Sequence, residues 1–307
     1  MTAVAILGVF VADLSFEAPR LPVMGETLLG SGFVMGPGGK GSNQAVAAAK
    51  AGAHTSFLTR LGNDAFGKIA LDTWERAGVS TDAVIRMDDA PTGAAFIFVS
   101  TETRDNAIIV ESGAAGHLAP ADIDTLSHTI EGAKVFVTQL EQPMDAAEHG
   151  LARARAARVT TILNPAPAAP LSQEVLALCD VITPNESEAA ALTGISVDSV
   201  DDARAAATAL RNAGVGSALI TLGERGALYD DGATCELVPA FSAGAVCDTT
   251  GAGDAFNGAF AAALAEGRPS LDAVRFACAA ASLSVTRRGA AAAMASRAEI
   301  DALLARA

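Results

Sequence analysis

The sequence predicts an α/β fold: a doubly wound, mostly parallel sheet flanked by helices, with a small β-sheet lid. Three observations carry this. Short β-branched runs alternate with alanine-rich runs along most of the 307 residues, the rhythm of strands joined by crossover helices. Half of the residues are hydrophobic but only 5% are aromatic, a palette of alanine, valine and leucine that suits strands buried on both faces. Two segments, 11–36 and 92–111, break the rhythm with strand-like stretches and no helical period.

In chain order, residues 4–9 read as the first strand, and residues 43–51 as a helix stopped by Gly52. A strand over 55–61 precedes a helix over 65–77, which ends at Gly78. Apolar strands follow at 135–140, 159–163, 181–182 and 218–221, with helices at 144–157, 186–192 and 201–213 between them. The C-terminal part is mostly helical: 252–265, 271–286 and 297–306. Within the second irregular segment, residues 93–100 and 107–110 flank a polar turn and read as a β-hairpin. The first has Pro and Gly punctuation and extended character. Together they make a small sheet outside the main one, read as a lid over a site or a contact between two copies. With no long linker and no internal repeat, residues 1–307 form a single domain carrying this lid.

Composition bounds the function. Thirty-five acidic against 21 basic residues give a net charge of −14, which repels nucleic acid and anionic membrane. Neither a transmembrane run nor a signal peptide is apparent. Cys179, Cys235, Cys247 and Cys278 are scattered without a CxxC pair, so a cytoplasmic protein with reduced thiols is expected. His54, His117, His128 and His149 show no metal-ligand spacing.

The most informative stretch is Asp248-Thr249-Thr250-Gly251-Ala252-Gly253-Asp254-Ala255-Phe256-Asn257-Gly258. A glycine turn runs straight into an apolar helix. Free N–H groups and the helix dipole converge there, making an anion site suited to phosphate. Asp254 would repel a phosphate that merely bound. It makes sense as the acceptor of a proton from a hydroxyl attacking the phosphate, the arrangement of a kinase for a small alcohol. A second glycine turn, Gly36-Pro37-Gly38-Gly39-Lys40-Gly41-Ser42-Asn43-Gln44-Ala45, also enters a helix. It has neither P-loop nor dinucleotide-fold spacing. Lys40 and Asn43 on such a turn suit a polyol, although an ordinary turn capped by Asn43 reads as well.

These runs, with Asn164-Pro165-Ala166-Pro167-Ala168, Thr183-Pro184-Asn185-Glu186-Ser187-Glu188-Ala189 and Thr221-Leu222-Gly223-Glu224-Arg225-Gly226, resemble the ribokinase family of carbohydrate kinases, the PfkB superfamily. They fall in the family's order over nearly the whole chain. The resemblance implies a ribokinase-like fold and ATP-dependent phosphorylation of a sugar, with D-ribose at its 5-hydroxyl as the expected substrate. Asp254 would be the catalytic base, and Gly251, Ala252 and Gly253 the anion hole. Asp13, Gly39, Lys40, Asn43 and Glu141 match the sugar-contacting positions beside Asp254; Glu141 alone reads equally as a solvated strand-end charge. Thr221, Gly223, Glu224, Gly226, Asn185, Gly253 and, in the adenine pocket, Cys278 match the nucleotide side. Cys278 alone could be a core residue. Asn185 and Glu188 match a motif tied to Mg2+ and phosphate through water, although a helix N-terminus also favours a carboxylate.

The resemblance further implies a K+ site built from Asp248, Thr250, Ser284, Arg287 and Gly289. Two departures bear on these expectations. Ala293 stands where the family often has serine, which removes one oxygen ligand for K+. Val11 stands two residues before Asp13 where asparagine is usual, which removes a sugar contact and adds an apolar wall. Another pentose, a deoxysugar or a nucleoside is therefore an alternative substrate, and a non-catalytic sugar-binding regulator a distant one. A homodimer through the lid is expected, because exposed strands need cover.

Overall fold

The computed structural model describes residues 3–306. A nine-stranded sheet runs in the order β13-β12-β11-β10-β9-β8-β1-β4-β5. Its strands are β1 (Ala3–Leu7), β4 (His54–Gly62), β5 (Val84–Met87), β8 (Val135–Thr138), β9 (Thr160–Leu163), β10 (Val181–Ile182), β11 (Ser217–Thr221), β12 (Ala227–Asp230) and β13 (Cys235–Val238). Neighbours from β11 to β5 pair in parallel, and β12 and β13 close one end antiparallel.

Period-2 alternation splits each inner strand between two cores. Val4 and Ile6 of β1 and Val135 and Val137 of β8 join one apolar cluster. Ala5, Leu7 and Phe136 join the other. The first core is covered by α1 (Lys40–Lys50), α2 (Ala65–Ala77), α9 (Ala252–Ala265), α10 (Ser270–Ser284) and α11 (Arg297–Leu304). The second is covered by α3 (Pro120–Thr125), α4 (Ser127–Glu131), α5 (Met144–Ala156), α6 (Gln173–Leu176), α7 (Glu186–Thr193) and α8 (Val200–Asn212).

A separate four-stranded sheet, β3-β2-β6-β7, comprises β2 (Val11–Ala18), β3 (Gly32–Gly38), β6 (Thr92–Ser100) and β7 (Asn106–Gly113). The chain enters it directly from β1, through residues 8–10. The β6–β7 pair is the expected hairpin. In the first irregular segment only the two ends are strands, and β3 runs two residues past the expected limit.

Local chemistry sets the boundaries. Asp64 caps α2, accepting from Gly67 N at 2.8 Å, and Gly78 ends it at φ 78°. The first strand stops at Leu7 rather than 9, and α1 starts at Lys40 rather than 43. Gly39 takes the N-cap position at φ 87°, where a Cβ would lie 2.5 Å from the Val9 carbonyl oxygen. Asn43 is therefore inside the helix and does not cap it. The short or weakly periodic elements β5, α3, α4, α6, β12 and β13 were not expected from the sequence.

Candidate active site

The site lies at the carboxyl ends of β1, β8, β9, β10 and β11, where open α/β sheets place their ligands. A cavity of about 180 Å³ is lined there by Lys40, Asn164, Thr183, Asn185, Glu188, Thr221, Thr249 and the residues from Gly251 to Asp254, among others. Its floor is the start of α9. Gly251 caps this helix at φ 74°, and a Cβ there would lie 2.8 Å from the Ala290 Cβ. Only glycine fits both the dihedral and the space. The Ala252 N–H turns back onto the Thr249 carbonyl (3.2 Å). Those of Gly253 and Asp254 meet no protein acceptor among the described residues. A Cβ at Gly253 would meet nothing within 4 Å, so the glycine leaves this face of the turn open to an anion.

Asp254 is buried at the same turn. Asn43 donates to its Oδ2 (3.0 Å) and Gln44 to its Oδ1 (3.1 Å). Burial pushes its pKa up, while the Lys40 charge and the two amides pull it back. Both amides reach it because α1 and α9 cross at Gly258, where a Cβ would stand 2.5 Å from the Ala47 Cβ.

Around Asp254 gather the other expected sugar contacts. The Lys40 backbone N–H donates to Glu141 Oε2 (2.8 Å). Glu141 is thus drawn in to cover the start of α1 and is not a solvated strand end. Burial pushes it up to about 7, the Lys40 amide and charge oppose this, and Asp254 and Asp13 add to it. Asp13 is pushed up to about 6 by burial and by Asp254. It packs against Gly38, where any side chain would collide with its carboxylate. Asn43 Oδ1 is buried without a partner, an acceptor that a sugar hydroxyl would satisfy. Asp13, Gly39, Lys40, Asn43, Glu141 and Asp254 therefore form one carboxylate-rich, amide-lined corner. Val11 is buried at the start of β2 and shares a sheet face with Asp13. Its cross-strand neighbours are Gly38 and Gly93.

On the far side of the turn, Asn185 and Glu188 form a capping box at α7. Asn185 Oδ1 accepts from Glu188 N (2.8 Å), and Glu188 Oε2 accepts from Asn185 N (2.9 Å). Capping and facing the cavity are thus compatible. Burial raises the Glu188 pKa, opposed by the Asn185 N–H and the Lys40 charge, so a nearby cation would suit it. No cluster of three or more His, Cys, Asp or Glu that could hold a metal occurs among the described residues. A hard cation would fit here with phosphate oxygens and water as most of its ligands.

Thr221 lines the cavity and is tied to the Pro184 carbonyl through its N–H (2.9 Å). Gly223, Glu224 and Gly226 form the next turn, closed by Leu222 N–H on the Gly226 carbonyl (2.8 Å). They lie beyond the cavity wall, as does Cys278, which is buried in the core with its Sγ 3.9 Å from the Val238 carbonyl oxygen.

Asp248 bridges two loops: Oδ1 accepts from Thr250 N and Oδ2 from Gly289 N, both at 2.9 Å. Burial works against its charge, but these N–H groups hold its pKa below the usual range. Ser284 Oγ donates to the Ala281 carbonyl (2.8 Å), and the Arg287 N–H to the Ser284 carbonyl (3.1 Å). Ala293 is fully buried and offers no side-chain oxygen. Asp248, Thr250 and Gly289 are thus joined by hydrogen bonds, and the Asp248 N–H donates to the carbonyl of Val285 (3.2 Å), in the segment between Ser284 and Arg287.

The cavity also shows residues to which the sequence assigned no role: Asn164, Thr183, Thr249 and Asn257. Gln44 and Asn257 could have been noticed as polar residues inside apolar helices, where burial requires hydrogen-bond partners.

The sequence matches the model of the pfkB family carbohydrate kinases over residues 1–297. It is 38% identical over 285 residues to the ribokinase of Haemophilus influenzae, covering 93% of this chain and 92% of that one. It is 37% identical over 287 residues to the deoxyribokinase of Salmonella typhimurium, covering 93% of each. The fold is similar to the structure of Arabidopsis thaliana ribokinase complexed with ribose and ATP, with a TM-score of 0.93, 33% identity and 98% of both chains covered.

Proposed function

The chain belongs to the pfkB family of carbohydrate kinases, and we propose that it transfers the γ-phosphoryl group of ATP to the 5-hydroxyl of D-ribose. The observation that carries this reading is a buried carboxylate, Asp254, placed on the same helical turn as the unpaired N–H groups of Gly253 and Asp254. The turn holds the γ-phosphate and the negative charge that develops on it, the larger contribution to rate. Asp254 accepts the hydroxyl proton late in the transfer, and Lys40 offsets charge on both sides. Asp13, Asn43 and Glu141 orient the sugar through paired hydroxyl contacts. Mg2+, held mainly by the nucleotide and by water near Asn185 and Glu188, would neutralise phosphate charge. The loops around Asp248, Thr250, Ser284, Arg287 and Gly289 would take K+ beside the anion turn. The need for ATP suits a cytoplasmic enzyme.

A second reading, a 2-deoxypentose as substrate, is favoured by Val11. An apolar side chain on the Asp13 face leaves a sugar hydroxyl without a partner there. MgATP-dependent ADP release across ribose, deoxyribose, arabinose, xylose, fructose, adenosine and uridine tests both readings. Ribose is expected to give the highest kcat/KM. A higher value for deoxyribose would replace ribose as the substrate, and turnover of none of them would refute both readings. Equal activity with and without potassium in sodium-free buffer would remove the K+ site.

A further inference from the structure

Gln44 is fully buried in α1 and uses every polar atom of its side chain. Its Nε2 donates to Asp254 Oδ1 (3.1 Å) and to Asn164 Oδ1 (3.0 Å), and its Oε1 accepts from Gln139 Nε2 (2.6 Å). The chain of bonds continues. Asn164 Nδ2 donates to the Thr183 carbonyl (3.0 Å), Thr183 Oγ1 to Asn257 Oδ1 (2.6 Å), and Asn257 Nδ2 to the Gly253 carbonyl (2.9 Å). The circuit begins at the Asp254 carboxylate and returns to the peptide immediately before it. Helices α1 and α9 and the residues just after β9 and β10 contribute, so neither helix can turn without breaking a buried hydrogen bond. Gln44 does not line the cavity.

We propose that Gln44 is a positioning residue for phosphoryl transfer: it fixes the plane of the Asp254 carboxylate and couples that plane to the anion turn. The proposal rests on Asp254 being the base. Each carboxylate oxygen holds one amide donor, Gln44 on Oδ1 and Asn43 on Oδ2. The remaining lone pairs are thereby aimed, and the charged form of a buried acid is kept available. The charged groups that act on Asp254 from neighbouring elements are Lys40 of α1, Asp13 of β2, Glu141 after β8 and Glu188 of α7. Burial is the largest cause that favours protonation of Asp254, and the amide donors oppose it together with the Lys40 charge.

The test is Gln44→Met, close in length and without donor or acceptor, with Asp254→Asn beside it. The expected result is a kcat lower by about 10–100-fold, as for a misaligned reacting group. KM for sugar and ATP should stay within about threefold. The acid limb of the kcat/KM profile should move to higher pH, because a carboxylate deprived of a donor holds its proton more tightly. Gln139→Met, one bond further out, should shift both readouts in the same direction by less. It decides the matter if Gln44→Met does not fold. A folded Gln44→Met with the original kcat, or one that loses activity with its acid limb unmoved, overturns the proposal. If Asp254→Asn is itself active, the assignment of the base fails rather than that of Gln44.

Discussion

At the scale of the residue, the site is a cluster of acids held together by one lysine and several amides. Asp13, Glu141 and Asp254 all have raised pKa values, with burial the largest cause in each. The consequence for stability has a definite sign. A carboxylate whose pKa is higher in the folded than in the unfolded chain binds more protons when folded. Its contribution to stability is therefore lost as pH rises between the two values. For Glu141, whose ordinary value of 4.5 becomes about 7, that window is about pH 4.5 to 7. Glu141→Gln keeps an acceptor for the Lys40 N–H and removes the buried charge. The variant is expected to melt a few degrees above the parent protein at pH 8, with little difference at pH 5, in thermal scans without sugar. An equal change at both pH values would contradict the assignment. Asp254 and Lys40 were legible in the sequence because acid and base stand out beside glycine turns. Gln44 and Asn257 were not, because their partners come from remote segments.

At the scale of the element, the two glycine turns are the starts of two helices that cross. The approach of α1 to α9 at Gly258 brings Asn43 and Gln44 to Asp254, 211 and 210 residues away in sequence. A Cβ at Gly258 would press on Ala47 Cβ, 2.5 Å away, and Ala48 N, 2.8 Å away. Overpacking of this kind costs about 1–3 kcal/mol. Gly258→Ala is expected to lower both Tm and kcat, the second because α1 shifts away from Asp254. A variant with reduced Tm and unchanged kcat would show that the crossing serves stability alone. The order of strands and long helices could be read from periodicity, as with α2, capped by Asp64 and ended by Gly78, and α9, which starts at Gly251. The short helices α3, α4 and α6 could not, since four to six residues carry little periodic signal.

At the scale of the whole molecule, the small sheet is the feature most in need of a partner. Register places Phe16, Phe33, Met35, Phe96 and Ile109 on one of its faces, and each is exposed. The outer strand β7 presents Ile108, Ile109 and Val110 to solvent. An exposed apolar patch beside an open strand edge is rarely left uncovered. We propose that a second copy of the chain covers it. Light scattering after gel filtration is expected to give twice the chain mass, and Ile109→Lys, at a position 70% exposed, the single mass. A monomer at every concentration of the parent protein would contradict the pairing. The alternation of strands and helices made the large sheet legible. That β2 pairs with β6 in parallel was not, because no local pattern joins residues as far apart as Val11 and Gly93.

The most direct test of the account is the turnover of Asp254→Asn with ribose and MgATP, measured beside its affinity for ribose. Loss of a positioned base predicts a kcat lower by about 10²–10⁴-fold, with ribose binding nearly unchanged because the amide can still meet a hydroxyl. A kcat within tenfold of the parent protein would contradict the central claim that Asp254 takes the proton.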